Sequence, residues 1–517
     1  MTDIDVVTLS RLQFALTALY HFLFVPLTLG LSILIAVMES VYVMTGRTIW
    51  RDMTKFWGLL FGVNFAMGVA TGITMEFEFG MNWAYFSHYV GDVFGAPLAI
   101  EGLMAFFLEA SFVGLFFFGW NRMSRIGHLA TTWLVAAGSN ISALWILIAN
   151  GWMQNPVGAH FDTQTMRMEM DSFYQLVFNP VAQAKFVHTV SAGYVTGSVF
   201  VLAVSAIYLL GDRHVEIARR SMTVAASFGL ASALSVVVLG DESGYVATTN
   251  QKMKIAAIEA MWDTEPPPAS FTLFGIPDTQ TQTTRYAVRI PWALGLMATR
   301  SLDTPVPGIK DLVKEADARI RDGIPAYAAL QALRRNPADP AARETFDKHV
   351  VHLGYALLVK RYAPNVVDAT GTQIAQAALD TIPNVGVLFW SFRTMVGLGL
   401  FFIALFAAAF FLSARRELER WRLFLWVAAL ALPLPWISCE LGWIVAEYGR
   451  QPWAIEGILP TALAVSSIPA RDVWFSLGGF MLFYSVLALV DVYLILRTIR
   501  LGPGIVTDGA PVPQSAG

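Results

Sequence analysis

Residues 386–412 read GVLFWSFRTMVGLGLFFIALFAAAFFL, an apolar run that carries one charged side chain, Arg393. At about 1.5 Å of rise per residue, a helix over this run would be about 40 Å long. The hydrocarbon layer of a bilayer is about 30 Å thick, so the run predicts a membrane-spanning helix. A permanent guanidinium buried in such a helix needs an anionic partner, which makes Arg393 the first candidate functional residue.

Further apolar runs of sufficient length occur along most of the chain. They lie at 14–38, 54–79, 96–120, 129–149, 186–210, 221–240, 422–447 and 474–497. Charged residues make up only 14% of the sequence and hydrophobic residues 56%, whereas soluble proteins are about a quarter charged. The sequence therefore predicts an all-α, polytopic membrane protein with about nine transmembrane helices.

The distribution of Lys and Arg predicts the orientation, because cytoplasmic loops are enriched in both. These residues concentrate in one alternating set of loops and ends, at Arg47, Arg51, Lys55, Arg122, Arg125, Arg213, Arg219, Arg220, Arg415, Arg416, Arg420, Arg422, Arg497 and Arg500. The N-terminus is accordingly predicted outside and the C-terminus in the cytoplasm, with one large periplasmic loop. The predicted units are 1–240 with six helices, the loop 241–385, 386–502 with three helices, and a disordered tail, 503–517.

The long loop has the pattern of a folded unit. It contains a charged helical pattern over 309–335 and an amphipathic stretch over 348–362. Structureless loops of such length are uncommon. We therefore expect a small folded unit on the outer surface, and such a unit is a natural place for a substrate site.

Composition also excludes several classes of protein. A net charge of −3 gives no overall basic field, so no nucleic-acid partner is expected. The single cysteine, Cys439, rules out an internal disulfide, a Cys-x-x-Cys pair, an iron–sulfur cluster and a c-type haem attachment.

Ionisable side chains within a membrane are costly and are functional candidates by default. Two of the eight histidines, His21 and His188, lie in apolar runs, where each could pack passively or ligate haem iron. The other candidates are Glu101, Glu109, Glu440, Glu447, Arg393 and, as either core filler or a ligand, Met395. The predicted topology places this set, apart from the deeper Glu109, in the outer half of the membrane. That arrangement suits redox cofactors beneath a donor site in the loop.

The sequence also resembles a known family over nearly its whole length, subunit I of the cytochrome bd quinol oxidases with a long quinol-binding loop. The motifs are 10–21 SRLQFALTALYH, 95–102 GAPLAIEG, 138–145 GSNISALW, 185–188 KFVH, 240–245 GDESGY and 449–453 GRQPW. The resemblance implies a quinol:oxygen oxidoreductase of the bacterial inner membrane. Quinol would be oxidised at the periplasmic side and O2 reduced to water, which would generate proton motive force without pumping.

The resemblance further implies a role for each candidate residue. His188 and Met395 would ligate a low-spin b haem, and His21 and Glu447 would each hold one of two high-spin haems. The cofactors would be two haem b and one haem d, or a third b-type haem. Proton routes or polar haem surroundings would involve Glu101, Glu109, Ser142 and Glu440. Haem propionates would pair with Arg393 and Arg450, and quinol, either ubiquinol or menaquinol, would meet Lys254 and Glu259 in 241–385. A second large subunit, with possible accessory subunits, is implied as partner.

Two other functions fit part of the pattern. A transmembrane b-type cytochrome would relay electrons without O2 chemistry, but it usually needs paired histidines on two helices. A proton-coupled transporter would use the glutamates as relays and would show inverted repeats, which the sequence lacks. A haem–copper oxidase needs more membrane histidines than His21 and His188 supply.

Overall fold

The computed structural model describes residues 5–506, and this part of the chain has nine helical segments long and apolar enough to cross a membrane. They confirm the predicted all-α class. We number them spans 1 to 9: Val6–Thr45, Thr48–Met81, Ala84–Phe118, Arg125–Gln154, Phe173–Leu210, Val215–Asn250, Val385–Ala414, Arg422–Arg450 and Ala470–Leu501. The predicted disordered tail, 503–517, begins with a 3-10 turn, Pro503–Val506. The rest of that tail, 507–517, lies outside the described residues.

Four spans are interrupted. Their pieces are Val6–His21 and Val25–Thr45 in span 1; Ala84–Ile100, a π-helix Glu101–Phe106 and Phe107–Phe118 in span 3; Phe173–Val177 and Pro180–Leu210 in span 5; Arg422–Leu430, Leu434–Glu447 and a 3-10 turn Tyr448–Arg450 in span 8. Three candidate residues, His21, Glu101 and Glu447, thus lie at an interruption. Irregular turns within helices often mark functional positions.

The break after His21 has a sequence cause. Pro26 has no N–H and its ring would clash with the carbonyl four residues earlier, so the first helix stops before it. Backbone carbonyls freed inside a membrane must find other donors. The Trp436 indole N–H donates to the Leu23 carbonyl at 2.7 Å, and the Asn64 side-chain amide donates to the Phe24 carbonyl at 2.8 Å.

Span 5 is the central helix, since every residue from Val195 to Ala206 is buried. It meets the second half of span 1 at a contact between glycines. A Cβ on Gly30 would lie 2.5 Å from the Gly193 carbonyl oxygen and 2.6 Å from the Gly197 Cα. Small residues allow this close approach between membrane helices.

The connections contain several short elements. Helices are Lys252–Ile258, Ile309–Arg335, Pro340–His349, Leu353–Leu357 and Gly371–Leu379; 3-10 turns are Val350–His352, Leu358–Arg361, Val366–Asp368, Leu418–Arg420 and Thr461–Leu463; Gly295–Thr299 is a π-turn. Three antiparallel hairpins pair Ala159–Asp162 with Arg167–Met170, Phe271–Asp278 with Thr283–Ile290, and Trp453–Ile455 with Leu459–Pro460. The pattern over 309–335 forms one helix, whereas the stretch over 348–362 is divided among several short segments.

The loop after span 6 packs firmly against the membrane helices. Span 6 itself continues to Asn250, ten residues beyond the predicted end at 240. Buried side chains of 256–262 form one cluster with Val385, Leu388 and Phe389 of span 7. This contact fixes the start of the loop against span 7, one turn before Arg393.

Candidate functional site

Glu447 ends the Leu434–Glu447 helix of span 8, accepts hydrogen bonds from spans 4 and 5, and pairs with an arginine of the turn that follows it. Its Oε1 accepts from the side-chain amides of Asn150 at 3.1 Å and Gln154 at 2.8 Å, which lie one turn apart on span 4. The Lys185 ammonium is 3.3 Å from the same oxygen, and Arg450 Nη2 is 2.7 Å from Oε2. The carboxylate is therefore held in one orientation, with Oε1 facing the two amides and Lys185 and with Oε2 paired with Arg450.

Lys254 completes this group, which we call the Glu447 cluster: Asn150, Gln154, Lys185, Lys254, Glu447 and Arg450. Its ammonium donates to Gln154 Oε1 at 2.8 Å, Gln251 Oε1 at 2.7 Å and the Ala446 carbonyl at 2.8 Å. Burial lowers the pKa of Lys254, whereas these three acceptors favour the protonated amine.

A cavity of about 150 Å³ lies where the Glu447 cluster meets the loop. Lys254, Arg319, Tyr355, Arg450 and Glu456 are among its lining residues. Burial raises the pKa of Glu456, whose carboxylate accepts a hydrogen bond from Gln251. The cavity is thus lined by polar groups of both signs.

Arg393 and Glu259 form a second buried cluster between the loop and span 7. Arg393 Nη2 is 3.1 Å from Glu259 Oε2, and the guanidinium also donates to the carbonyls of Thr272 and Ile258. The anion that the sequence required for Arg393 is thus a loop carboxylate. Burial raises the pKa of Glu259 to about 7, although Arg393 opposes the shift. A carboxyl with this pKa can accept a proton near neutral pH.

Lys254 and Glu259, which the family resemblance places in one quinol site, have no hydrogen-bond partner in common. The structure places Lys254 with Glu447 and Glu259 with Arg393. Arg393 donates to several protein acceptors, and its pairing with a haem propionate stays a prediction.

One ring nitrogen of His21 forms a hydrogen bond. Its Nδ1 is 2.9 Å from the Thr71 hydroxyl oxygen, and that hydroxyl is 3.0 Å from the Met67 and Gly68 carbonyls. Because the hydroxyl proton is directed to a carbonyl, Nδ1–H is the donor to Thr71. The other nitrogen, Nε2, is left with the lone pair that a metal ligand needs.

Three of the four side chains predicted to ligate haem iron, those of His21, His188 and Met395, pack on a glycine. A Cβ would lie 3.1 Å from His21 Cε1 at Gly72, 3.1 Å from His188 Cε1 at Gly240, and 3.2 Å from Met395 Sδ at Gly442. A larger residue at any of these glycines would displace the ligand side chain.

Several buried polar atoms near these positions have no hydrogen-bond partner within residues 5–506. They are His188 Nδ1, both carboxylate oxygens of Glu440, and Nε and Nη1 of Arg450. Unpaired buried polar atoms are costly and rare in folded proteins. These residues therefore fit a bound haem. His188 could ligate its iron, and Arg450 could pair with an anionic propionate.

The acids of span 3 pair with serines on span 4. Ser142 donates to Glu101 at 2.6 Å, and Ser139 donates to Glu109. Ser139 and Ser142 lie three residues apart, on one face of the helix. The structure thereby supports placing Glu101, Glu109 and Ser142 in one polar line along the interface.

Sequence reasoning missed several members of these clusters. Asn150, Gln154 and Lys185 were not singled out, although the i, i+4 spacing of the two amides on an apolar helix was a usable signal. Further along span 4, buried His128 has Nδ1 2.6 Å from Glu39 Oε1. No local sequence pattern could have paired His128 with Glu39, because they are 89 positions apart.

Comparison with known proteins identifies the family. The family model for cytochrome bd terminal oxidase subunit I matches residues 9–503. The chain belongs to this family. It is 51% identical over 510 residues to cytochrome bd-II ubiquinol oxidase subunit 1 of Escherichia coli (strain K12), and the alignment covers 99% of each chain. It is 35% identical to cytochrome bd ubiquinol oxidase subunit 1 of Bacillus subtilis (strain 168), over 96% of this chain and 93% of that one.

A solved structure of the bd oxidase from Geobacillus thermodenitrificans has the same fold. Its matching chain superposes with a TM-score of 0.78 at 24% identity, over 97% of this chain and 100% of that chain. The protein is therefore a terminal oxidase subunit of the bacterial inner membrane, crosses that membrane several times, and carries haem. As a subunit I, it works with a second subunit.

Proposed function

We propose that this cytochrome bd subunit oxidises quinol at the periplasmic side and uses the electrons to reduce O2 to water. The two relatives with the higher identities above are named ubiquinol oxidase subunits, which favours ubiquinol over menaquinol as the donor. The orientation needed, with 241–385 in the periplasm, is the one that the Lys and Arg distribution predicts.

The observation that carries this proposal is the buried pair of Glu259 and Arg393. Quinol oxidation releases two protons with two electrons, so it needs a base beside the bound quinol. Glu259 lies in the loop, is 4% exposed, and has its pKa raised to about 7 by burial. Its ion-pair partner Arg393 is two residues from Met395, a proposed ligand of the relay haem.

We assign the haem ligands as follows: His188 and Met395 to a low-spin b haem, His21 to one high-spin haem, and Glu447 to the other. The high-spin pair is one haem b and one haem d, or two b-type haems. Bound there, the haems would supply one-electron transfer and an open iron position for O2. Arg450 has free guanidinium nitrogens for a propionate.

Protons for water formation would come from the cytoplasmic side. Glu109 with Ser139, and Glu101 with Ser142, are two successive steps along spans 3 and 4. Glu440, with neither oxygen paired in the described part of the chain, is a further acceptor near the candidate ligands. Proton release outside and uptake inside would move charge across the membrane without a pump.

The test uses the purified assembly with its second subunit. Reduced-minus-oxidised visible spectra should show one low-spin and two high-spin haems, and ubiquinol should drive O2 uptake. A preparation that takes electrons from quinol but consumes no O2 would favour the relay cytochrome instead. One that folds and contains no haem would refute the ligand assignments.

A further inference from the structure

We propose that one hairpin of the loop, residues 271–292, lies in the outer lipid–water interface and anchors the loop to the bilayer. Its strands, Phe271–Asp278 and Thr283–Ile290, form a two-stranded sheet that no third strand joins within residues 5–506. The partner inferred for its exposed surface is the outer leaflet of the membrane.

The first support is the apolar surface that the hairpin leaves uncovered. Seven of its apolar side chains are each 39–79% exposed: Leu273, Phe274, Ile276, Tyr286, Val288, Ile290 and Trp292. A two-stranded hairpin by itself is at best marginally stable in water. A contiguous exposed apolar patch typically marks a site that meets another protein or a membrane. This surface is thus poorly suited to bulk water.

The second support is the depth at which the hairpin meets span 7. Phe274 packs edge-on against Trp390, with the ring centroids 5.4 Å apart. The 30-residue helix Val385–Ala414 is about 45 Å long, so a helix centred on a hydrocarbon layer of about 30 Å extends about 7.5 Å beyond it at each end. Trp390 is five residues from the start of this helix, which is also about 7.5 Å. Phe274 therefore contacts span 7 at the outer boundary of the hydrocarbon.

A second contact fixes the base of the hairpin near the same level. The Arg393 guanidinium Nε donates to the Thr272 carbonyl at 2.9 Å. Arg393 is three residues, about 4.5 Å, deeper along span 7 than Trp390. The first strand is therefore held against span 7 at the interface by a ring contact and by a hydrogen bond.

The third support is that the hairpin surface continues the exposed surface of a membrane helix. Trp390 and Val387 of span 7 are 42% and 40% exposed, and Phe274, which touches Trp390, is itself exposed. Trp and Tyr are enriched where membrane proteins meet the lipid–water boundary, and the hairpin adds Tyr286 and Trp292 to Trp390. Aromatic composition and continuity both favour lipid as the partner.

The charged side chains of the hairpin suit the same position. Arg285 Nη2 is 2.7 Å from Asp278 Oδ2, and Arg289 Nη1 is 3.6 Å from Glu265 Oε1. Charges close to lipid are typically paired with one another. The hairpin therefore brings no unpaired arginine to the boundary.

Anchoring has a consequence for the candidate proton acceptor. The Thr272 N–H donates to Glu259 Oε2 at 3.3 Å, so a hairpin held in the interface keeps Glu259 at the edge of the bilayer, from which a lipid-soluble quinol arrives. This consequence rests on the proposed function, whereas the anchoring itself does not.

The test attaches a fluorophore to Tyr286→Cys in the haem-loaded assembly with its second subunit, reconstituted in lipid nanodiscs. The background is Cys439→Ala, because Cys439 is the only cysteine of this chain. The same background without an introduced cysteine corrects for labelling of the second subunit. Glu344→Cys, at an exposed residue of the same loop, is the matched control.

Two quenchers distinguish lipid from water: a nitroxide carried by lipids near their headgroups, and iodide in solution. The label at 286 should be quenched more by the nitroxide lipid, and less by iodide, than the label at 344. Iodide quenching as strong as at 344 would place the hairpin in water and overturn the proposal. Protection from iodide without quenching by the nitroxide lipid would mean that protein covers the hairpin, and would overturn it as well.

Val288→Cys provides a second labelling site on the same strand if Tyr286→Cys does not assemble, and the visible haem spectrum of each sample reports assembly. The quenching needs no quinol turnover. A failure of quinol oxidation would therefore leave this result unchanged, and a failure of anchoring would leave the proposed oxidase activity to be judged by its own assay.

Discussion

Replacing Glu259 with Gln removes the proton acceptor but keeps the hydrogen bonds that hold this part of the structure. The Gln side-chain oxygen can still accept from the Thr272 N–H and from Arg393, and Arg393 keeps the carbonyls of Thr272 and Ile258. Fold and haem content should therefore survive. Removal of a general base typically costs about 10²–10⁴-fold in rate, which corresponds to about 2.7–5.4 kcal/mol at about 1.36 kcal/mol per tenfold.

The pH dependence of quinol oxidation gives a second test of Glu259 as the proton acceptor. Only the deprotonated carboxylate can accept a proton, and burial raises the pKa of Glu259 to about 7. Quinol oxidation should therefore rise with pH through about 7 and level off above it. Glu259→Gln should remove this rise together with most of the turnover.

The assay is ubiquinol-driven O2 uptake between pH 5.5 and 8.5, with haem content measured on the same samples. Glu344→Gln, an exposed residue of the same loop, is the matched control and should behave as the unmodified protein. O2 uptake driven by an artificial donor that bypasses the quinol site should be retained in Glu259→Gln. Normal ubiquinol turnover with an unaltered pH profile in Glu259→Gln would refute the base assignment.

Three further substitutions test the haem ligands and the packing. Met395→Leu should convert the low-spin haem to high-spin, and an unchanged reduced spectrum would reject its assignment. His21→Ala should lose one high-spin haem, so full haem retention in a pyridine haemochrome assay would count against that role. Gly30→Ala should destabilise the span 1–span 5 contact by about 1–3 kcal/mol, seen as a lower thermal midpoint of haem absorbance. Gly80→Ala, where a Cβ meets nothing within 4 Å, should leave the thermal midpoint unchanged. Equal losses of stability in Gly30→Ala and Gly80→Ala would contradict the close packing of spans 1 and 5.

Local sequence was sufficient for the membrane elements. Long apolar runs predicted all nine spans found in residues 5–506, because the bilayer imposes a length and a polarity that can be read from consecutive residues. Pro26 likewise explains the break after His21. The hairpins of the connections were not predicted. Two of them have strands of four residues or fewer, and the eight-residue strands Phe271–Asp278 and Thr283–Ile290 lack a clear alternation of apolar and polar residues.

Partners distant in sequence could not be predicted from spacing. The sequence required an anion for Arg393, but that anion is Glu259, 134 positions earlier. Lys254 and Glu259 are neighbours in sequence and have different partners, because a helix turns about 100° per residue.

The amino-acid sequence by itself determined that the chain crosses a membrane as helices and that these helices carry ionisable residues, since the cost of placing charge in hydrocarbon is a property of each residue. Only the tertiary structure decided how those charges are neutralised. Ion pairs and hydrogen bonds depend on distances of about 3 Å between side chains, and only the packing of spans 4, 5, 7 and 8 with the loop brings Glu447 and Arg393 to their partners.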